Sequence, residues 1–291
     1  MSLQILTTVW GEKHLEIFRR GTLRSLSFKR NKARLFQENA VWNVCTDAKD
    51  IPYLEKQFFI HFPELEVVFK PTEELRDYTD TVQSAMLWIM KKCLETGDKL
   101  LLAPPDTIFA DGAVDGLLAA GREKGTCVAA AHPRVLPEIL SEELSYSIPA
   151  TEMVNLAWKY LHKSWTDAEW GHPYYNGYVG GVQWSKVHDK VMSVIHRLPT
   201  VYLADFTDED LKYFKSVISF GHFDHMWPGD ILIPRGRQRY VASSDLAFMV
   251  EITEKNKNVP PIIPNAPLEG FWRSHAHNEI NKGIVVTYRG A

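Results

Sequence analysis

The sequence predicts an α/β fold built on a mostly parallel sheet, and two observations carry that prediction. Over residues 1–135, short aliphatic runs alternate with segments of helical period. The runs stop abruptly at Gly, Pro or acidic residues. Strands separated by helices need crossover connections, which make neighbouring strands parallel and place helices on the sheet faces. Ligands of such sheets bind outside the carboxyl ends of the strands.

The elements follow in order. "LQILTTVW" (3–10) is a first buried strand, stopped by Gly11. "KHLEIFRRGTLRSLS" (13–27) reads as a helix with Gly21 as its weak point. "AVWNVCTD" (40–47) is a second strand ending in Thr46-Asp47, "DIPYLEKQFF" (50–59) a short helix, and "LEVVFK" (65–70) a third strand. From Thr72 to Glu95 a helical stripe runs through Leu75, Tyr78, Val82, Met86, Ile89 and Leu94. "KLLLAP" (99–104) is a fourth strand, "DGAVDGLLAAGREKG" (111–125) a helix closed by Gly125, and "TCVAAAHPR" (126–134) a fifth strand. The strand ends carry Thr7 to Gly11, Thr46-Asp47, Pro105-Asp106 and His132-Pro133-Arg134, which this fold gathers on one rim.

After residue 150 the texture changes. "ATEMVNLAWKYLHKSW" (150–165) is an amphipathic helix, and "WGHPYYNGYVGGVQW" (170–184) a Gly- and aromatic-rich loop running into a strand. "SKVHDKVMSVIHRL" (185–198) reads as a helix. "VYLADFTDEDLKYF" (201–214) is a strand end and a helix capped by Thr207, with Asp210 three residues on. "SSDLAF" (243–248) reads as a helix start with Asp245 at its head. No repeat or linker divides the 291 residues, so a single domain is expected, with residues 1–135 and 136–291 as its two halves.

Composition narrows the function. The net charge of -3 gives no sign of a strongly basic nucleic-acid binder. Three scattered cysteines, Cys45, Cys93 and Cys127, form neither a disulfide framework nor metal spacing. The opening residues lack the form of a signal peptide, and no apolar run has membrane-spanning length. A cytoplasmic location is expected.

Four constellations carry chemistry. Asp106 ends a buried strand after Pro104-Pro105, where a carboxylate can serve a hard divalent cation or cap a turn. Asp111 suits a helix cap. In "GHFDHMWP" (221–228), His222, Asp224 and His225 suit metal binding or proton abstraction better than packing. Arg235, Arg237 and Arg239 alternate, so on a strand they would share one face, suited to a pyrophosphate, a nucleic-acid backbone or a solvated edge. Tyr174, Tyr175, Tyr178 and Trp184 surround Gly180-Gly181, as a stacking platform or a bulged core strand. "SHAHN" (274–278) is a weak metal signal.

"LLLAPPDTIFADGAVDGLLAAGREKG" resembles the Asp-x-Asp region of GT-A-fold glycosyltransferases. "TTVWGEKHLEIFRRGTLRSL" is similar to the first strand and helix of bacterial and phage-encoded glycosyltransferases, and "CTD" (45–47) to the end of their second strand. The likeness covers roughly residues 3–135 and is weaker from 170 to 250. Pro104 stands where the first Asp of the motif belongs, so only Asp106 keeps its acid.

The resemblance implies transfer of a sugar from a nucleotide-sugar donor to a hydroxyl acceptor. It places Thr8, Trp10 and Asp47 at the nucleotide. It assigns a divalent metal, Mn²⁺ or Mg²⁺, to Asp106 with His222 or His225. Asp224, Asp245 or His225 becomes the base, and Arg235 or Arg237 a phosphate ligand. The implied acceptor is a surface glycan or lipopolysaccharide, with hydroxymethylated DNA as the phage alternative. A non-catalytic sugar-nucleotide binder stays open. A nucleotidyltransferase is less well supported, because "TTVWGEKHLE" lacks a Gly-rich basic loop.

Overall fold

A computed structural model describes residues 2–75, 80–130, 132–141, 147–167, 169, 182–188, 191–196, 200–216, 227–256 and 284–290. The chain opens with β1 (Leu3–Thr8), α1 (Glu12–Phe18), a π-helical turn (Arg19–Leu23), α2 (Arg24–Leu26), α3 (Lys29–Gln37), β2 (Val41–Thr46), α4 (Ile51–His61) and β3 (Glu66–Pro71). It continues with α5 (Thr81–Thr96), β4 (Lys99–Leu102), β5 (Thr107–Phe109), α6 (Ala113–Ala120), β6 (Cys127–Ala130) and β7 (Arg134–Val135). The second half holds α7 (Ala150–Lys159), α8 (Lys163–Thr166), β8 (Val182–His188), β9 (Val191–His196), β10 (Thr200–Ala204), α9 (Asp208–Ser216), β11 (Gln238–Tyr240), β12 (Met249–Ile252) and β13 (Ile284–Arg289).

The architecture is mixed α/β. A seven-stranded sheet has the order β11-β6-β10-β4-β1-β2-β3. All its pairings are parallel except those of β10, which runs antiparallel to β4 and β6. The carboxyl ends of β1, β4 and β6 therefore share one rim, and β10 starts there. A small sheet, β5-β12-β7, lies outside the main one, and β13-β9-β8 forms a third.

Aromatic packing fixes one face of the main sheet. Trp42 meets Phe18, Phe58 and Phe62 edge-on, at centroid distances of 6.1, 4.9 and 5.4 Å. Its indole donates to the Thr7 hydroxyl at 3.0 Å, and Thr7 donates to the Ala103 carbonyl at 2.8 Å. That relay satisfies the polar groups of a buried Trp and ties β2, β1 and the end of β4 together.

Gly21, the expected weak point, sits in the π-helical turn. A methyl group there would come within 3.2 Å of the Ile252 side chain, so glycine permits the close approach of helix and β12. Asp111 does cap a helix, but not its own. Its carboxylate accepts from the backbone N–H groups of Arg30 (2.8 Å) and Asn31 (3.3 Å) at the start of α3. Asn31 returns the bond, accepting from Gly112 and Val114 at the start of α6. The two helix starts thus satisfy each other's unpaired donors.

Several boundaries differ from expectation. The described residues of the helix expected over 185–198 form strands instead: β8 and β9 make an antiparallel pair, and β13 adds to β9. Val182, Val187, Val191, Val194 and Ile195 are β-branched, and pairing with Val285 and Val286 favours the extended form. "SSDLAF" is a turn leading into β12, because Ser244 N–H bonds the Thr287 carbonyl at 3.0 Å. The helix expected from Thr72 begins at Thr81, where the Asp80 carboxylate accepts from Val82 and Gln83. α6 closes at Gly121 rather than Gly125. Strand β5 lies between the expected fourth strand and the helix after it, where no element was assigned, and it exists through its pairing with β12.

Among the described residues, no helix is long and apolar enough to cross a membrane. All three cysteines are free and buried, and burial pushes each thiol up to about 12.

Candidate functional site

A cavity of about 320 Å³ opens at the shared rim. Part of its lining is apolar: Leu6, Val82, Met86 and Leu102 contribute aliphatic wall from β1, α5 and β4. Part is polar: Thr8, Asp106, His132, Arg134, Tyr202 and Glu251 contribute hydroxyl, carboxylate, imidazole and guanidinium groups. An apolar floor with a few converging polar groups is the usual form of a small-molecule site.

The local sequence explains how these groups arrive. β4 ends at Leu102, and Pro104-Pro105 prevent further ladder pairing before Asp106. The Asp106 carbonyl accepts from Ile252 N–H at 2.7 Å, which anchors the turn to β12. Beyond β6, Pro133 separates His132 from Arg134, and its carbonyl accepts from Glu251 N–H at 2.9 Å. The small sheet therefore holds three of the polar groups on a rigid frame.

Those groups form a connected network. The Tyr202 hydroxyl lies 3.0 Å from His132 Nδ1, and His132 Nε2 lies 2.9 Å from Glu251 Oε2. Glu251 Oε1 pairs with Arg134 Nε at 3.2 Å and accepts from the Thr253 hydroxyl at 3.1 Å. Tyr202 is 1% exposed and His132 8%. Burial alone would push the Glu251 carboxyl up. The His132 hydrogen bond and charge, then Arg134 and Thr253, hold it down at about 2.

That depression predicts a pH effect. The folded carboxyl has the lower value, so its stabilisation is complete above the ordinary 4.5 and fades as pH falls towards about 2. The shift corresponds to about 3 kcal/mol. Glu251→Gln should lower the urea midpoint at neutral pH and flatten its fall between pH 4.5 and 2. Parallel acid-denaturation curves for the two proteins would contradict this.

The residues singled out from the sequence distribute unevenly. Thr8 and Asp106 line the cavity. Trp10 follows β1 and is half-buried, and Asp47 follows β2; neither lines it. Asp47 accepts from the Thr72 hydroxyl at 2.9 Å and lies 3.8 Å from Lys49.

The arginine ladder does not form, because β11 begins only at Gln238. Arg235 pairs with Glu209 at 2.6 Å and Arg239 with Glu123 at 2.5 Å. Arg237 pairs at 2.8 Å with Asp210, which is fully buried. Asp245 is exposed in its turn and pairs with Arg289 at 3.0 Å. His222, Asp224 and His225 lie outside the described residues, as do Tyr174, Tyr175, Tyr178 and residues 274–278.

His132 and Arg134 had been placed on the rim as a strand end but given no role. Tyr202 and Glu251 carried one usable signal each: a hydroxyl and a carboxylate inside the otherwise apolar runs "VYLA" and "MVEI". Asp106 contributes a second carboxylate to this cavity, beside Glu251, whose two oxygens are engaged by His132 and Arg134. Among the described residues no cluster of three His, Cys, Asp or Glu side chains could hold a metal by itself.

No protein-family model and no curated protein matches the chain. Among solved structures it is similar to mouse xyloside xylosyltransferase 1, at 9% identity over 45% of this chain and 53% of that one, with TM-score 0.35. It is similar to mannose-6-phosphate isomerase of Helicobacter pylori, at 15% identity over 47% and 51%, with TM-score 0.32. It is also similar to a glucose-1-phosphate thymidylyltransferase of Bacillus anthracis, at 9% identity over 82% and 86%, with TM-score 0.40. The chain thus spans about half the length of the first two.

Proposed function

We propose that this protein is a glycosyltransferase that takes a nucleotide-sugar donor into the rim cavity and transfers its sugar to a hydroxyl acceptor, by default that of a surface glycan. The carrying observation is one cavity whose lining joins aliphatic side chains with Asp106 and Arg134. The aliphatic lining suits the flat, weakly polar face of a nucleoside. Arg134 is paired through Nε, and its planar terminal nitrogens suit two phosphate oxygens at once. Negative charge grows on the diphosphate as the glycosidic bond breaks, so a guanidinium placed there lowers the barrier.

Asp106 is the residue that would hold Mg²⁺ or Mn²⁺ against the same phosphates. These ions are commonly bound by one or two carboxylates plus substrate oxygens. Such an ion would add positive charge beside the leaving group.

The test is calorimetry with a panel of UDP-, GDP-, CMP- and TDP-sugars, with Mn²⁺ and with EDTA, on wild type and Asp106→Ala. One nucleotide class should bind, and both EDTA and the substitution should weaken it about tenfold or more. Binding indifferent to both would leave Asp106 as a turn residue and remove the metal. Absence of binding by every nucleotide would remove the transferase reading.

A further inference from the structure

We propose that Tyr202, His132 and Glu251 form a proton relay that deprotonates the acceptor hydroxyl, with the Tyr202 oxygen as the group that meets it. This rests on the transferase reading above and adds to it the identity of the base.

The direction of the relay follows from the hydrogen bonds. Glu251 accepts from His132 at 2.9 Å, so the imidazole proton sits on Nε2. In the neutral ring Nδ1 then carries the lone pair and accepts the Tyr202 hydroxyl proton across 3.0 Å. A phenol oxygen that donates its hydrogen keeps lone pairs able to accept one, and both Tyr202 and His132 line the cavity. The ionised form of Glu251 is favoured in place, so an imidazolium formed between the two would be stabilised.

The groups around the imidazole come from three elements. Tyr202 reaches it from β10 and Glu251 from β12. Arg134 from β7 stands behind Glu251. Asp106 shares the cavity wall.

The step balances. The acceptor O–H gives its proton to the Tyr202 oxygen as Tyr202 gives its own to Nδ1. The acceptor oxygen forms a bond to the anomeric carbon. The bond from that carbon to the phosphate oxygen breaks, and its electron pair leaves with the nucleoside diphosphate. His132 then releases the extra proton to solvent. A phenol alone is too weak a base near neutral pH, which is why the imidazole behind it is needed.

The experiment uses the full chain, in two measurements. Nitrogen-15 NMR of labelled histidine should show His132 protonated at Nε2 and not at Nδ1. Transfer from the donor class identified by calorimetry is then followed against pH for wild type, Tyr202→Phe and His132→Asn. Tyr202→Phe removes one oxygen and keeps the ring that meets Phe109 edge-on at 5.8 Å, so the fold should survive if His132→Asn does not.

Donor affinity should stay within about threefold in Tyr202→Phe, while transfer falls about 100-fold or more. The wild-type rate profile should carry an acid limb that is absent from the variant. A ring protonated at Nδ1 overturns the relay. So does a Tyr202→Phe enzyme that transfers at the wild-type rate with the same acid limb. If no nucleotide-sugar binds the wild type, the transferase reading fails and this assignment fails with it. Intact binding with unimpaired transfer removes the relay alone.

Discussion

Arg134→Ala is expected to weaken nucleotide-sugar binding about 100-fold and to reduce transfer further, with little change in melting temperature. The expectation has two parts. A guanidinium that neutralises a diphosphate in a partly enclosed cavity acts through charge and through its planar fork, and alanine removes both. Glu251 keeps its bonds to His132 and Thr253 after the change, so the carboxylate left behind still has partners. Arg134→Lys separates the two effects, because it restores the charge without the fork. Recovery of most of the binding by lysine would mean that charge alone matters. Undiminished binding in the alanine variant, measured by the same calorimetry, would move the phosphate site elsewhere in the molecule.

Asp210→Ala should be the most damaging single change to stability, costing about 3–5 kcal/mol. Asp210 is fully buried and gathers five donors. Thr207 supplies its backbone N–H at 2.7 Å and its hydroxyl at 2.9 Å, and Trp227 its indole N–H at 2.8 Å. Arg237 supplies two nitrogens, at 3.0 and 2.8 Å. Removing the carboxylate leaves a mostly buried guanidinium without its charge partner and opens the start of α9. A fall in Tm of roughly 10 °C is expected. The double variant Asp210→Ala with Arg237→Met should recover part of the loss, since it removes the stranded charge. A single variant that melts with the wild type would show that solvent reaches this cluster.

Arg237 shows why the candidate site was only partly legible in the sequence. Three arginines at alternate positions look like a phosphate-binding face if the backbone is extended. The backbone turns through Gly236, at φ 64°, before β11 begins, so the alternation has no common face. Each guanidinium then finds an acid remote in sequence: Glu209, Asp210 or Glu123. The opposite error applies to Glu251. A lone carboxylate in "MVEI" looks like an exposed strand position. Its role appears only when β12 pairs with β7 and brings it to His132 and Arg134. Asp111 was read correctly as a cap, but the helix it caps begins some eighty residues earlier in the chain.

The sequence by itself determined the five strands that the first half gives to the seven-stranded sheet. The patterns behind β1, β2, β3, β4 and β6 are local: each is a short apolar run closed by Gly, Pro or acid, and hydrophobic periodicity reports such runs directly. It also placed Thr8 and Asp106 at strand ends on the rim where the cavity opens, since that follows from strand direction alone. Tertiary structure decided the rest. The β8–β9 pair, the short strand β5 and the Tyr202–His132–Glu251–Arg134 network all depend on partners distant in the chain. Residues 70 or 119 positions apart carry no shared period, so their meeting is fixed by the packing of β10 and β12 around the rim.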